Sequence, residues 1–211
     1  MLTSSRILSF MTDIVGFIHS KGGVGKSTLS MFTALALTSS GASVRLIDAD
    51  PQASIRRWAQ AADRAESPLP LGIIAAPAPT TLRQAVKTAR ADGVDLVLID
   101  TPPGTPSVLD EVVSLVDLAL VPTAASPMDI DRVWPTLDLL QGIPTAVVLN
   151  ALDARESTAT VAKTTLEAAG LTVADTTIPM RAGVRRSFGT NPTPIPAVYN
   201  ELAREIQEAV R

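Results

Sequence analysis

The chain has 211 residues, 46% of them hydrophobic, with 18 Lys and Arg against 21 Asp and Glu for a formal charge of −3. That length suits one large domain with a sizeable core, and the apolar content excludes a disordered chain. No cysteine and a single histidine exclude disulfides, thiolate nucleophiles, cysteine-ligated iron–sulfur clusters and multi-histidine metal sites, leaving phosphate or carboxylate chemistry.

In chain order, residues 1–12 form an N-terminal extension that lacks the basic start and long apolar stretch of a signal peptide, and Met11 is an alternative start. Short apolar runs rich in β-branched residues then alternate with Ala-rich stretches of helical period. Strands are predicted at 14–19, 43–48, 71–75, 95–100, 118–122, 145–150 and 172–178, and helices at 26–39, 53–65, 81–91, 107–115, 128–140, 157–169 and 197–210. This alternation implies an α/β fold over residues 13–211, a doubly wound, mostly parallel sheet with helices on both faces. No apolar run approaches the roughly 20 residues that span a bilayer. The last helix has Glu201, Glu205 and Glu208 on its polar face, which anionic lipid would repel, so it is expected to dock on its own sheet. No stable membrane association and a cytoplasmic location are expected.

The first predicted strand runs into Ser20-Lys21-Gly22-Gly23-Val24-Gly25-Lys26-Ser27-Thr28, which opens the first helix. A glycine-rich turn in that context lets successive N–H groups point at phosphate oxygens. Lys26 adds positive charge at the β- and γ-phosphates, Ser27 offers a hydroxyl to Mg²⁺, and the helix N-terminus favours the anion. Ser20 replaces the first glycine of the strict phosphate-loop pattern. Lys21 is additional and too far back along the loop to duplicate Lys26.

The second strand ends in Asp48-Ala49-Asp50-Pro51-Gln52, and the fourth delivers Asp100 ahead of Thr101-Pro102-Pro103-Gly104. Ligands sit at the carboxyl ends of strands in open α/β sheets. A carboxylate at position 50 orients an attacking water or holds a Mg²⁺-bound one; the competing role is an N-cap for the following helix. Asp100 reads as a Walker B carboxylate for Mg²⁺, against the alternative of an ordinary strand-end aspartate. Asn150, ending the sixth strand, pairs with an adenine edge or forms a turn. His19 reads as a strand-end residue rather than a catalyst.

The string from Lys21 to Ser27 resembles the deviant Walker A motif of the ParA/MinD family of ATPases, closest in pattern to the small ParA-type (ParF-like) partition ATPases. The resemblance implies ATP and Mg²⁺ as ligands, with Gly22 to Thr28 cradling phosphate. It implies that Lys21 acts across an ATP-dependent homodimer on the partner's nucleotide, much as an arginine finger does. By the same likeness Asp50 positions the hydrolytic water and Asp48 supports Mg²⁺ with Ser27 and Asp100. Asn150 contacts adenine, with Pro179 and Met180 covering the base.

The net charge taken whole argues against a nucleic-acid partner, yet Arg181, Arg185 and Arg186 fall within six residues, with no acidic residue before Glu201. They form either a solvated loop or a phosphate-backbone contact. The resemblance implies non-specific DNA binding there, a nucleoid-associated state when ATP-bound, and a ParB-like centromere-binding adaptor that stimulates hydrolysis. No helix-turn-helix domain is expected. A positioning ATPase for a protein cargo, a MinD-like division regulator and an ATP-dependent ligase such as dethiobiotin synthetase are the alternatives.

Overall fold

A computed structural model describes residues 12–152 and 158–210. The expected extension lies outside the described residues except for Thr12, as does the start of the helix expected at 157–169. Strands β1 (Asp13–Phe17), β2 (Val44–Asp48), β3 (Gly72–Ala75), β4 (Leu96–Asp100), β5 (Leu118–Thr123) and β6 (Thr145–Leu149) lie in the order β3-β2-β4-β1-β5-β6. Every neighbouring pair is parallel. Such strands need both faces covered, which is why they read as runs of Val, Ile and Leu rather than as alternating polar and apolar residues. Val97 and Ile99 of β4 point into one core, shared with α3 (Pro79–Ala91), α4 (Pro106–Val113) and α7 (Thr158–Ala168). Leu96 and Leu98 point into the other, under α1 (Lys26–Ser39), α2 (Ser54–Arg64) and α9 (Ala197–Ala209). In α9, Tyr199, Leu202, Ala203 and Ile206 are buried, with Tyr199 stacked on Phe32 of α1 at 4.6 Å between ring centroids. No helix among the described residues is long and apolar enough to cross a membrane.

Two sequence-based expectations need correction. Residues 172–178 form no seventh strand. The segment meets β6 through a bridge at Val173 and through backbone bonds such as Ile178 N–H to the Leu149 carbonyl at 2.8 Å. Between these points the Asp175 and Thr176 N–H groups donate to the Glu205 carboxylate of α9, at 2.9 and 2.7 Å. A side chain takes the donors a ladder would have used. The helix expected at 128–140 is two, α5 (Pro127–Asp131) and α6 (Trp134–Leu139). Pro135 stands in the first turn of α6, where the missing N–H is harmless; inside one continuous helix its ring would clash with the carbonyl four residues back.

Candidate nucleotide site

The register of the sheet gathers the candidate residues. Phe17 and Asp48 both pair with Asp100, so β1, β2 and β4 end level at one edge. The loop after β1 crosses that edge into α1 with Gly23 and Gly25 at φ 79° and 88°. Gly25 caps α1 in the left-handed region with no side chain over the first turn, so those N–H groups face outward, unclaimed by the chain. A Cβ on Gly25 would collide with Asn150 Nδ2, so glycine is required both by conformation and by space. The loop borders a cavity of about 450 Å³ shared with Lys26, Ser27, Thr28, Asp50 and Thr101.

Lys26 is buried, and its Nζ donates to the carbonyls of His19 and Lys21, both at 3.1 Å. Burial lowers its pKa, opposed by the charges of Asp100 and Asp50. Asp100 is fully buried, and neither carboxylate oxygen has a well-formed hydrogen bond. Burial pushes its pKa up to about 7, against the lowering influence of the Ser27 hydroxyl and the Lys26 charge. An orphaned carboxylate beside a serine hydroxyl at the mouth of a phosphate loop fits a Mg²⁺ site. Among the described residues no group of three or more His, Cys, Asp or Glu could hold a metal ion, so such an ion would draw its remaining ligands from phosphate and water.

The other two carboxylates are already engaged. Asp48 Oδ1 accepts the Asp50 N–H at 3.2 Å and Oδ2 accepts the Arg56 N–H at 3.0 Å. Burial raises its pKa, and those two N–H groups oppose the rise. Asp50 Oδ1 accepts the Gln52 N–H at 2.8 Å, and Asp50 borders the cavity. The N-cap of α2 is Ala53, not Asp50.

Lys21 points elsewhere. Its Nζ lies 2.7 Å from Asp129 Oδ1, at the start of α5, and this bond, with one from Ser126, lowers the Asp129 pKa. Ser20 N–H donates to Thr136 Oγ1 of α6 at 3.3 Å. His19 is wholly buried, and its Nδ1 accepts the Lys21 N–H at 2.9 Å, a bond only the neutral ring can accept. Burial, then the charges of Lys26 and Lys21, hold its pKa down at about 4 against an ordinary 6.5. The unfolded chain therefore binds a proton that the folded chain refuses between those values. His19 thus contributes stability that is lost as pH falls from 6.5 toward 4, read as the part of the pH dependence of thermal melts that differs between wild type and His19→Asn.

On the far side of the loop Asn150 Nδ2 donates to the Val24 carbonyl at 2.8 Å. Asn150, Pro179, Met180, Arg181 and Arg185 border a second hollow of about 210 Å³ that also touches Gly23 and Thr28. Arg185 reaches Met180 Sδ at 3.3 Å. The three arginines are exposed, with α8 (Ala182–Arg186) between the first and last of them. The phosphate-loop residues and Asp50 thus line one cavity, with Asp100 buried at the same sheet edge; Asn150, Pro179 and Met180 sit beside it; the arginines flank the latter group.

A family model described as VirC1 protein matches residues 12–185. The chain belongs to the VirC1 family, within the ParA/MinD group of ATPases. Protein virC1 of Rhizobium rhizogenes is 33% identical over 144 residues, 64% of this chain and 62% of that protein. This VirC1-family chain thus matches less than two thirds of that relative's length. Maintenance of carboxysome distribution protein A of Halothiobacillus neapolitanus is 28% identical over 176 residues, 79% of each chain. The solved structure of the septum site-determining protein MinD with Mg-ADP from Pyrococcus horikoshii superposes with a TM-score of 0.74 at 18% identity, covering 94% of this chain and 97% of that one. It shares the parallel-sheet fold.

Sequence reasoning missed Asp129, Thr136 and Trp58. Asp129 had a local signal: Ser126-Pro127-Met128-Asp129 after a strand is a capped helix start at the same sheet edge, where the Ser126 hydroxyl accepts the Asp129 N–H. Thr136 and Trp58 had none, because their partners lie more than a hundred residues away.

Proposed function

We propose that residues 13–211 form one Mg²⁺-dependent ATPase domain whose ATP-bound homodimer holds DNA without sequence preference, and whose hydrolysis is stimulated by an adaptor resembling ParB. The observation that carries this reading is the divergence of the two lysines. Lys26 is folded into the loop, whereas Lys21 reaches away to Asp129, so the two do not serve one set of phosphates. In this reading Gly22 to Thr28 bind the phosphates, Asp100 and Ser27 hold Mg²⁺, Asp48 keeps the adjoining loop in place, and Asp50 orients water. Mg²⁺, when bound, neutralises charge on the β- and γ-oxygens. Asn150, Pro179 and Met180 enclose adenine. Arg181, Arg185 and Arg186 contact the DNA backbone, and the ATP-bound dimer associates with the nucleoid.

DNA affinity measured with ATP, with ADP and without nucleotide tests the reading. Binding should need ATP, and equal affinities in all three states refute it. Replacing Arg185 and Arg186 by Ala should weaken binding by about 1–2 kcal/mol, roughly tenfold, with little dependence on sequence.

A second reading has its own support: the carboxysome distribution relative aligns over 79% of both chains. The same switch then distributes a protein cargo instead of a replicon. Capture of partners on the ATP-bound protein separates them, since a DNA-binding adaptor favours segregation and a cargo-shell adaptor favours positioning.

A further inference from the structure

The chain segment that follows α8 is fastened to α2 at three points and to the turn beyond α2 at a fourth. Trp58 Nε1 donates to the Thr190 carbonyl at 2.9 Å, and the Phe188 ring lies 5.6 Å from that of Trp58. Ser67, just past α2, accepts the Asn191 N–H at 3.1 Å. Gly189 approaches so closely that a Cβ there would meet Ala61 Cβ at 2.9 Å. At its other end α2 hangs on the nucleotide edge. It starts from Ala53 at φ 55° with no side-chain cap, and what holds its first turn is Asp48, the carboxylate that also holds Asp50.

A three-turn helix moves as a rigid body, so a shift at one end is felt at the other. Trp58 is placed to pass that shift on. It is 4% exposed and meets Phe32 of α1 edge-on, at 5.9 Å and 76°. One ring of α2 therefore touches both the phosphate-loop helix α1 and the segment that follows α8.

We propose that α2 is a lever, and that Trp58 is the positioning residue that passes the state of the Asp48–Asp50 loop to the segment carrying Arg181, Arg185 and Arg186. The inference rests on the function proposed above and adds how the arginines are controlled. When the loop closes on nucleotide, α2 draws residues 187–191 with it and reorients α8. Trp58 and Phe188 line neither the phosphate-loop cavity nor the hollow beside Asn150, so their loss should uncouple the two sites without emptying either.

The test uses the full chain with Trp58→Phe, which keeps a ring but loses the indole N–H, and with Phe188→Ala, whose side chain is 53% exposed. Fluorescent ATP and ADP analogues report the nucleotide site, and a random-sequence duplex reports the arginines. Both variants should bind nucleotide within about twofold of wild type, while the ATP-over-ADP preference in DNA affinity collapses by about tenfold or more. In a Trp134→Phe background, emission from Trp58 should change on adding ATP without DNA. An unchanged preference in both variants overturns the lever, and so does unchanged Trp58 emission. Parallel loss of nucleotide and DNA binding also overturns it, because that marks Trp58 as plain core. If the wild-type protein binds DNA equally in both nucleotide states, the underlying function fails with it. A wild-type preference that survives in the variants defeats the lever alone.

Discussion

Lys21→Ala should bind ATP nearly as tightly as wild type and hydrolyse it about 10³-fold more slowly, the range of a charge supplied across an interface. The two halves of this expectation have separate structural grounds. Binding is spared because the Lys21 ammonium pairs with Asp129 at 2.7 Å instead of entering the phosphate loop. Its backbone N–H and carbonyl, which do shape the loop through His19 and Lys26, survive substitution. In the proposed dimer, hydrolysis is lost because the variant removes the charge that Lys21 supplies to the partner's nucleotide. Mixing decides the point. Lys26→Ala lacks the phosphate-binding lysine but keeps Lys21, so an equal mixture of the two inactive variants should regain activity that neither has alone. No recovery in the mixture, or a Lys21→Ala rate equal to wild type, would refute action in trans.

Asp100→Asn should have effects of opposite sign on catalysis and stability. Hydrolysis should fall by about 10²-fold or more, because the amide is a poor partner for Mg²⁺. The ligand-free protein should become more stable by about 2 kcal/mol at pH 8, because a buried carboxylate without a well-formed hydrogen bond is replaced by a neutral group of the same shape. The pH dependence follows from the raised pKa. Between 3.8 and about 7 the folded protein keeps a proton on Asp100 that the unfolded chain releases, so the contribution of Asp100 to stability declines as pH rises across that window and levels off above it, opposite in sign to that of His19. The advantage of Asn should therefore be small near pH 4 and complete above pH 7. Thermal melts of both proteins across that range, with and without Mg·ADP, check this. Equal stability at pH 8 would show that the buried carboxylate is not a strained group.

The parts of the fold that were legible in the sequence rest on local signals. Each of the six strands is a short β-branched run, and helix 26–39 was bounded by Gly25 on one side and a Ser-Ser-Gly turn on the other. The phosphate loop was legible because glycine, lysine and serine spacing records backbone geometry directly. Residues 172–178 carry a similar apolar pattern but lose their ladder to Glu205, thirty residues on, and nothing local encodes that competition. The break at Pro135 was encoded locally and was overridden by the helical period around it. For the site, the residues lining the loop were found, whereas their restraints on the neighbouring chain were not. His19 read as a plain strand end, yet its ring nitrogen fixes the backbone of Lys21. The pairing of Lys21 with Asp129 joins segments 108 residues apart, and only the assembled sheet, with β5 beside β1, brings them together.

Asp48 carries a consequence for how variants at this edge are read. Its two oxygens serve two different segments, so the position is constrained twice. Asn keeps one acceptor and turns a donor toward the other N–H, whereas Glu has the right charge but displaces both contacts by a bond length. Either change therefore disturbs the loop or the helix start as well as any part the carboxylate plays at the metal. A silent enzyme with Asp48 replaced therefore says nothing about metal binding on its own. Double duty of this kind lets one side chain fix both the loop at Asp50 and the first turn of the helix that follows it.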